Sequence, residues 1–321
     1  MCIHIALATD DNYAVHCATT IASVLSYNTD VFFHILHSGL SEKNIMKLEN
    51  TVDNLDFFSE IEFIDMRKFD FSAYPMNRSH ISIATYYRLA LHKVLPKLSK
   101  VLYLDCDLLV LDNLKELYSI DLNYQLAAVA AAKDETDNYH KKRLGIRDYF
   151  NAGVSLLNLE FLRYRNASKE YQEILVNDAD KIECQDQDIM NIAFNGRVTL
   201  VPMEYNANST MFHPDIFTDA SYSVAEERRA KHKPKILHFT GEHKPWQFTC
   251  CHPLKSAYLK YLMMTDYKFE AFKQLCLTFV SSIFKIDKTF KTFAIKLFGL
   301  EVFKIYGNRH KSIHILGITI N

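Results

Sequence analysis

The sequence predicts an α/β fold: a mostly parallel sheet with helices on both faces, followed by a short basic, aromatic extension. Three observations carry this. Between residues 3 and 104, short apolar runs alternate with stretches of helical spacing. Two of those runs end in acidic turns. The chain has 321 residues, 49% apolar and 23% charged, enough for a packed core and too ordered in composition for global disorder.

Ile3–Ala8 reads as the first strand and ends in the polar turn Thr9-Asp10-Asp11-Asn12. From Tyr13 to Leu25, Val15, Ala18, Ile21, Ala22 and Leu25 recur at helical spacing. Val31–Leu36 is the second strand. Ser41–Leu55 is a helix that Ser41 starts, with Glu42 in its first turn. Ile61–Ile64 is the third strand, Ser82–Leu95 a helix ended by Pro96, and Val101–Leu104 the fourth strand. Strands alternating with helices imply parallel βαβ units, which bind ligands at the C-terminal ends of their strands. Asp10/Asp11 and Asp105/Asp107 fall at such ends.

The second half is less regular. Ala127–Ala132, Val154–Leu157, Val198–Val201 and Ile236–Phe239 read as strands, and Gln187–Phe194 as a short helix. A boundary is expected near residue 265, giving a domain over 1–265 and an extension over 266–321. The extension carries Phe272, Phe279, Phe284, Phe290, Phe293, Phe298 and Phe303 among lysines, and Ile313–Ile320 reads as a strand. From residue 268 on, nine Lys/Arg face only Glu270, Asp287 and Glu301. A basic, Phe-rich stretch is expected to lie on an anionic membrane surface, the alternative being packing on the main domain or on another copy.

Several classes are excluded. A net charge of −1 argues against a nucleic-acid binder. The seven cysteines contain no C-x-x-C, and reduced thiols in the cytoplasm fit best. No signal peptide and no run of about 18 apolar residues is evident. Neither G-x-G-x-x-G nor a P-loop is present, so a bound phosphate would not be held by a glycine-rich loop.

Asp105-Cys106-Asp107 carries the sharpest chemistry. Residues i and i+2 of an extended segment point to one side, and two carboxylates there repel unless a cation lies between them. Hard oxygen ligands suit Mg²⁺ or Mn²⁺, and such a cation can bridge the phosphates of a nucleotide. His238, leaving a strand, would add an imidazole and tilt the preference toward Mn²⁺, although alone it reads as a core histidine. Gly241 permits close backbone approach to a phosphate, Lys244 offers it a point charge, and Trp246 reads as a packing anchor. Gln185-Asp186-Gln187-Asp188 begins a helix, where acids are explained by capping and the dipole alone. Phe150-Asn151-Ala152-Gly153 reads as a turn into a strand, and Arg88 as a solvated helix charge.

Taken in order, these motifs resemble glycosyltransferase family 8, especially its bacterial lipopolysaccharide galactosyl- and glucosyltransferases. The matching pieces are Ala8–Tyr13, Arg78–Ser82, Thr85–Arg88, Val101–Asp107, Tyr149–Val154, Gln185–Ile189 and His238–Trp246, over about residues 1–260. The resemblance implies a GT-A fold and a retaining transfer of glucose or galactose from a UDP-sugar to lipopolysaccharide, capsule or another glycan or glycolipid. It assigns Mn²⁺ (or Mg²⁺) to Asp105, Asp107 and His238. It places Ala8, Asp10, Asn12 and Tyr13 at uracil and ribose, with Cys106 beside the nucleotide. Gly241 and Lys244 fall at the diphosphate, and His80 and Ile81 near the nucleotide and the acceptor mouth. Arg88, Asn151, Asp186 and Gln187 would surround the donor sugar as the catalytic set. Family members often carry an acid at the end of the strand written here Ala127–Ala132. Either Asp134 replaces it through a shifted loop, or the acceptor is recognised differently. A non-catalytic UDP-sugar or glycan binder of the same fold is one alternative. A sugar-1-phosphate nucleotidylyltransferase is another, disfavoured because Ala8–Tyr13 lacks glycine.

Overall fold

The computed structural model describes residues 2–76, 82–131, 135–212, 223–247 and 250–270, together with five strands beyond them. Two compact units divide at Tyr267 and Lys268.

In the first unit β1 (Ile3–Thr9), α1 (Ala14–Leu25), β2 (Val31–His37), α2 (Glu42–Leu55) and β3 (Glu60–Asp65) follow the expected alternation. β1 is buried along nearly its whole length, which is why it reads as an apolar run. Ser41 caps α2 by accepting the Asn44 amide. After a 3-10 stretch over Ile83–Ala90 come α3 (Leu91–Val94), β4 (Lys100–Leu104), β5 (Leu108–Val110), α4 (Lys115–Tyr118), β6 (Ala127–Ala131) and α5 (Glu135–Leu144). The unit continues through β7 (Phe150–Asn158), α6 (Leu159–Tyr164), α7 (Ala167–Asn177), α8 (Gln185–Ala193), β8 (Val198–Val201), β9 (Ala207–Asn208), α9 (Val224–His232), β10 (Ile236–His238) and α10 (Lys255–Leu262).

Seven strands form the main sheet in the order β3-β2-β1-β4-β7-β6-β8. β1, β2, β3 and β4 run parallel, as do β6 and β8, while β7 is antiparallel to both its neighbours. The chain winds outward from β1 through β2 and β3, then returns to place β4 on the other side of β1. That reversal is a topological switch point, and it opens a crevice at the carboxyl ends of β1 and β4. A second sheet, β5-β10-β9, pairs His238 with Leu108 and so carries the histidine back to the end of β4.

Three local readings are corrected. The helix expected over Ser82–Leu95 is a 3-10 stretch up to Ala90 and α-helical only over Leu91–Val94. In a 3-10 winding side chains three apart eclipse, which lines up Thr85 with Arg88 on the edge that meets Asp186. The turn expected over Phe150–Gly153 is the first part of β7. Asn191 supplies both hydrogen bonds to Phe150, taking its amide N–H and donating to its carbonyl, so strand geometry persists without an apolar pattern. The short helix begins at Gln185 rather than Gln187.

The second unit contains β11 (Phe284–Lys288), β12 (Thr292–Leu297), β13 (Leu300–Tyr306), β14 (Ile313–Ile315) and β15 (Ile318–Ile320), antiparallel in chain order. The single strand expected over Ile313–Ile320 is two, since Ile313 pairs with Ile320 and the chain must reverse between them. Among the described residues no helix is long and apolar enough to cross a membrane.

Candidate active site

A cleft of about 580 Å³ opens at the switch point, within the range that small-molecule sites occupy. One wall is the loop after β1, where Ala8, Asp10, Asn12 and Tyr13 line the space. Asp10 accepts the amides of Asn12 and Tyr13 at 2.9 and 3.0 Å, folding the loop into the start of α1. Asp11, grouped with it in the sequence, instead binds Ser41 and Asn44 at the start of α2 and is not part of the lining.

The floor is the turn Asp105-Cys106-Asp107. Three elements fix it: Thr20 of α1 donates to the carbonyls of Cys106 and Leu108, Asp105 N–H donates to Gly153, and Phe239 N–H donates to Asp107. The Cys106 thiol turns to the Ala8 carbonyl at 3.2 Å, and its side chain thereby joins the floor to the first wall. One ligand atom each of Asp105, Asp107 and His238 fall within 4.8 Å of one another. His238 Nε2 is 3.0 Å from Asp107 and 3.7 Å from Asp105. Burial works against ionisation of Asp107, yet Lys244 and His238 hold its carboxyl well below the usual range. Gly153 backs the cluster: a Cβ there would come within 2.2 Å of His238 and 2.4 Å of Asp105. Two carboxylates, one imidazole and a backbone pared to glycine are a donor set that fits a divalent cation.

Arg88, expected in solvent, is buried. Its guanidinium donates to Asp105 at 2.7 Å, pairs with Asp186 at 2.9 Å and lies over the Tyr103 ring. Burial would lower its pKa, but the two carboxylates hold it well above the ordinary value. Asp186 is pushed up to about 6 by burial, against the pull of Arg88 and of the Thr85 hydroxyl that donates to it. Asp186 therefore serves the cleft and not the helix terminus. Asp188 instead reaches back to the turn that leads into the helix, accepting the amides of Glu183 and Cys184 at 2.8 Å. Gln187 Oε1 accepts both Asn151 Nδ2 and the Ala152 amide, and its Nε2 donates to Tyr149.

Gly241 and Lys244 close the opposite side. Gly241 has φ +82°, a left-handed conformation that favours glycine, with open space around it. Lys244, expected at a phosphate, donates here to Asp107 and to the Phe239 carbonyl. Trp246 packs as expected, stacked on His16 with centroids 3.5 Å apart.

The model of glycosyl transferase family 8 matches residues 4–250. The chain belongs to that family. General stress protein A of Bacillus subtilis is 26% identical over 275 residues, 83% of this chain and 94% of its own. A lipopolysaccharide 1,2-glucosyltransferase of Escherichia coli is 28% identical over 74% of this chain and 71% of its own. The crystal structure of galactosyltransferase LgtC with donor and acceptor sugar analogues matches at TM-score 0.72 and 30% identity, covering 82% of this chain and 96% of that one. The fold is GT-A, and this family 8 protein is a hexosyltransferase.

All described residues of the expected site line the one cleft: Ala8, Asp10, Asn12, Tyr13, Arg88, Asp105, Cys106, Asp107, Asn151, Asp186, Gln187, His238, Gly241 and Lys244. His80, Ile81 and Asp134 lie outside the described residues. Gln185, the first residue of the Gln185–Asp188 motif, has no site role in the sequence analysis. It lines the cleft, is 1% exposed, has φ +43°, and its Nε2 has no hydrogen-bond partner among the described residues. A left-handed glutamine costs on the order of 1–2 kcal/mol, and such strain concentrates at ligand sites.

Proposed function

We propose that this hexosyltransferase takes glucose or galactose from a UDP-sugar and passes it, with retention, to a lipopolysaccharide, capsule or other glycan acceptor in the cytoplasm. The observation that carries the reading is the Asp105–Asp107–His238 cluster at the switch point, flanked on one side by Arg88, Asp186 and Gln187. The lipopolysaccharide glycosyltransferases among the relatives support the acceptor class. Asp105, Asp107 and His238 would hold Mn²⁺ or Mg²⁺, and the chemistry it supplies when bound is neutralisation of the charge that grows on the leaving diphosphate.

The chain's own groups do the rest. Lys244 is within reach to leave Asp107 for a phosphate oxygen, and Gly241 admits the diphosphate to the backbone. Arg88 keeps Asp105 and Asp186 apart yet tied, so that Asp186 can accept a sugar hydroxyl. Gln187 carries no charge and its carbonyl oxygen already accepts two donors, which makes it a poor nucleophile. The reading is therefore same-face attack, with the departing phosphate oxygen taking the acceptor's proton; a glycosyl adduct trapped on Asp186 or Gln187 and seen by mass spectrometry overturns it. Supplying UDP-sugars with Mn²⁺ should give slow UDP release from one hexose donor, and Asp105→Ala should reduce it by on the order of 10²-fold or more. UDP binding without release or transfer would support the binder instead.

The basic extension is proposed to hold the enzyme on the anionic inner face of the membrane. Replacing Lys285, Lys288, Lys291 and Lys296 by Gln in the full chain should weaken sedimentation with anionic vesicles at least tenfold. Undiminished sedimentation refutes the anchor.

A further inference from the structure

Behind His238, outside the cleft lining, stands Asn206, 4% exposed. Its Oδ1 is 2.9 Å from His238 Nδ1, and its Nδ2 donates to Asn151 Oδ1 at 3.0 Å. Asn151 in turn meets Gln187, Gln187 meets Tyr149, and Tyr149 donates to Asp188 at 2.9 Å. Side-chain amides in such a row can in principle point either way.

Here the main chain decides. The Gly153 N–H can only donate, and it donates to Asn151 Oδ1 at 3.0 Å. Asn151 therefore turns its NH₂ to Gln187, which must present oxygen. The Ala152 N–H requires the same, donating to that oxygen at 3.2 Å. Gln187 then gives its NH₂ to Tyr149, and the Tyr149 proton goes to Asp188, a fully buried carboxylate that only accepts. In the other direction, Asn151 Oδ1 requires the NH₂ of Asn206. Asn206 must then show its oxygen to His238, and Nδ1 must carry hydrogen. Flipping Asn206 would set two oxygens 3.0 Å apart in a buried place.

We propose that Asn206 is a positioning residue that keeps hydrogen on Nδ1 of His238, so that Nε2 is the nitrogen turned to Asp105 and Asp107 and the one that a divalent cation would take in place of a proton. Its orientation is imposed from the Gly153 and Ala152 amides through Asn151 and Gln187. The metal-facing imidazole and the amide of Gln187 are thus one hydrogen-bonded unit. This rests on the divalent-cation reading of the cleft.

The test uses the full chain with ¹⁵N-labelled histidine. In the metal-free wild type, the His238 nitrogen shifts should report hydrogen on Nδ1, with or without a second hydrogen shared between Nε2 and Asp107. Asn206→Ala should mix the tautomers and weaken Mn²⁺ binding, measured by calorimetry, about 10–100-fold. Asn206→Asp keeps an acceptor for Nδ1–H and should stay within about fivefold of wild type in Mn²⁺ affinity, while losing turnover because Asn151 loses its donor. A wild-type Nε2–H tautomer overturns the proposal, as does an Asn206→Ala protein that binds Mn²⁺ like wild type. The tautomer measurement needs no variant, so misfolding of either one leaves it decisive. Failure of the wild type to bind Mn²⁺ would instead sink the cation reading, while the tautomer would still judge Asn206.

Discussion

Arg88 joins two carboxylates that would otherwise repel across the cleft. One arm reaches Asp105 and another Asp186, and the ring of Tyr103 closes off the third side. A planar fork with several fixed donors can do this; a lysine ammonium is a point charge that must choose. Arg88→Lys should therefore leave one buried carboxylate without its partner, at a cost of about 1–3 kcal/mol. UDP release should fall on the order of 10²-fold through lost positioning. Thermal melts and steady-state kinetics on the same preparation measure both, and unchanged turnover would remove Arg88 from the working cleft. The identities of Arg88, Asp105, Asp107, Asp186 and His238 are legible in the chain because their types and order match a known pattern. The burial of Arg88 is not, because it depends on Asp186, 98 residues later. Gln185 stands in a legible motif, but its left-handed backbone left no signal, since that conformation at a glutamine is a result of tertiary fit and not of local preference.

At the scale of elements, legibility follows how each strand is buried. β1, β2 and β4 are covered on both faces, so their sequences are continuous apolar runs that stand out. The start of β7 is different. Asn151 and Gly153 break the apolar run because that stretch faces the cleft: Asn151 bonds other side chains, and Gly153 makes room for His238 and Asp105. Function overrides strand propensity there, and a local reading sees a turn. The 3-10 winding over Ile83–Ala90 is hidden for a related reason. Its residues are acceptable in an α-helix, and only the demand that Thr85 and Arg88 converge on Asp186 selects the tighter winding. β5, β9 and β10 are three residues or shorter, too brief for any periodicity, yet they deliver His238 to Asp107.

Over the whole molecule, three histidines, His16 and His92 buried and His252 half-buried, tie distant parts of the first unit together and give folding a pH dependence. His16 bonds Tyr258 of α10 at 2.6 Å and stacks on Trp246, clamping the segment that carries Gly241 and Lys244 against α1. His92 bonds Ser168 of α7, and His252 packs against Phe239 after β10. Burial lowers their pKa values from 6.5 to about 3, 4 and 4 respectively. The folded chain holds these imidazoles neutral, whereas the unfolded chain protonates them below about pH 6.5. Between pH 4 and 6.5 the unfolded state thus binds more protons, so stability rises with pH and is level above that window. Asp186 acts oppositely. Raised to about 6, it keeps a proton in the folded state that the unfolded state has shed, which lowers stability as pH rises from about 4 to 6. Fully expressed at low pH, each histidine costs on the order of 3–5 kcal/mol, and the single aspartate offsets about one of them. The balance favours neutral pH. Urea unfolding should show a midpoint clearly lower at pH 5.0 than at pH 7.5. His16→Phe, which keeps the stack without the titrating group, should narrow the gap. Equal midpoints at the two pH values would mean that these imidazoles are charged inside the fold, and the clamp between α1 and the Lys244 segment would then need another explanation.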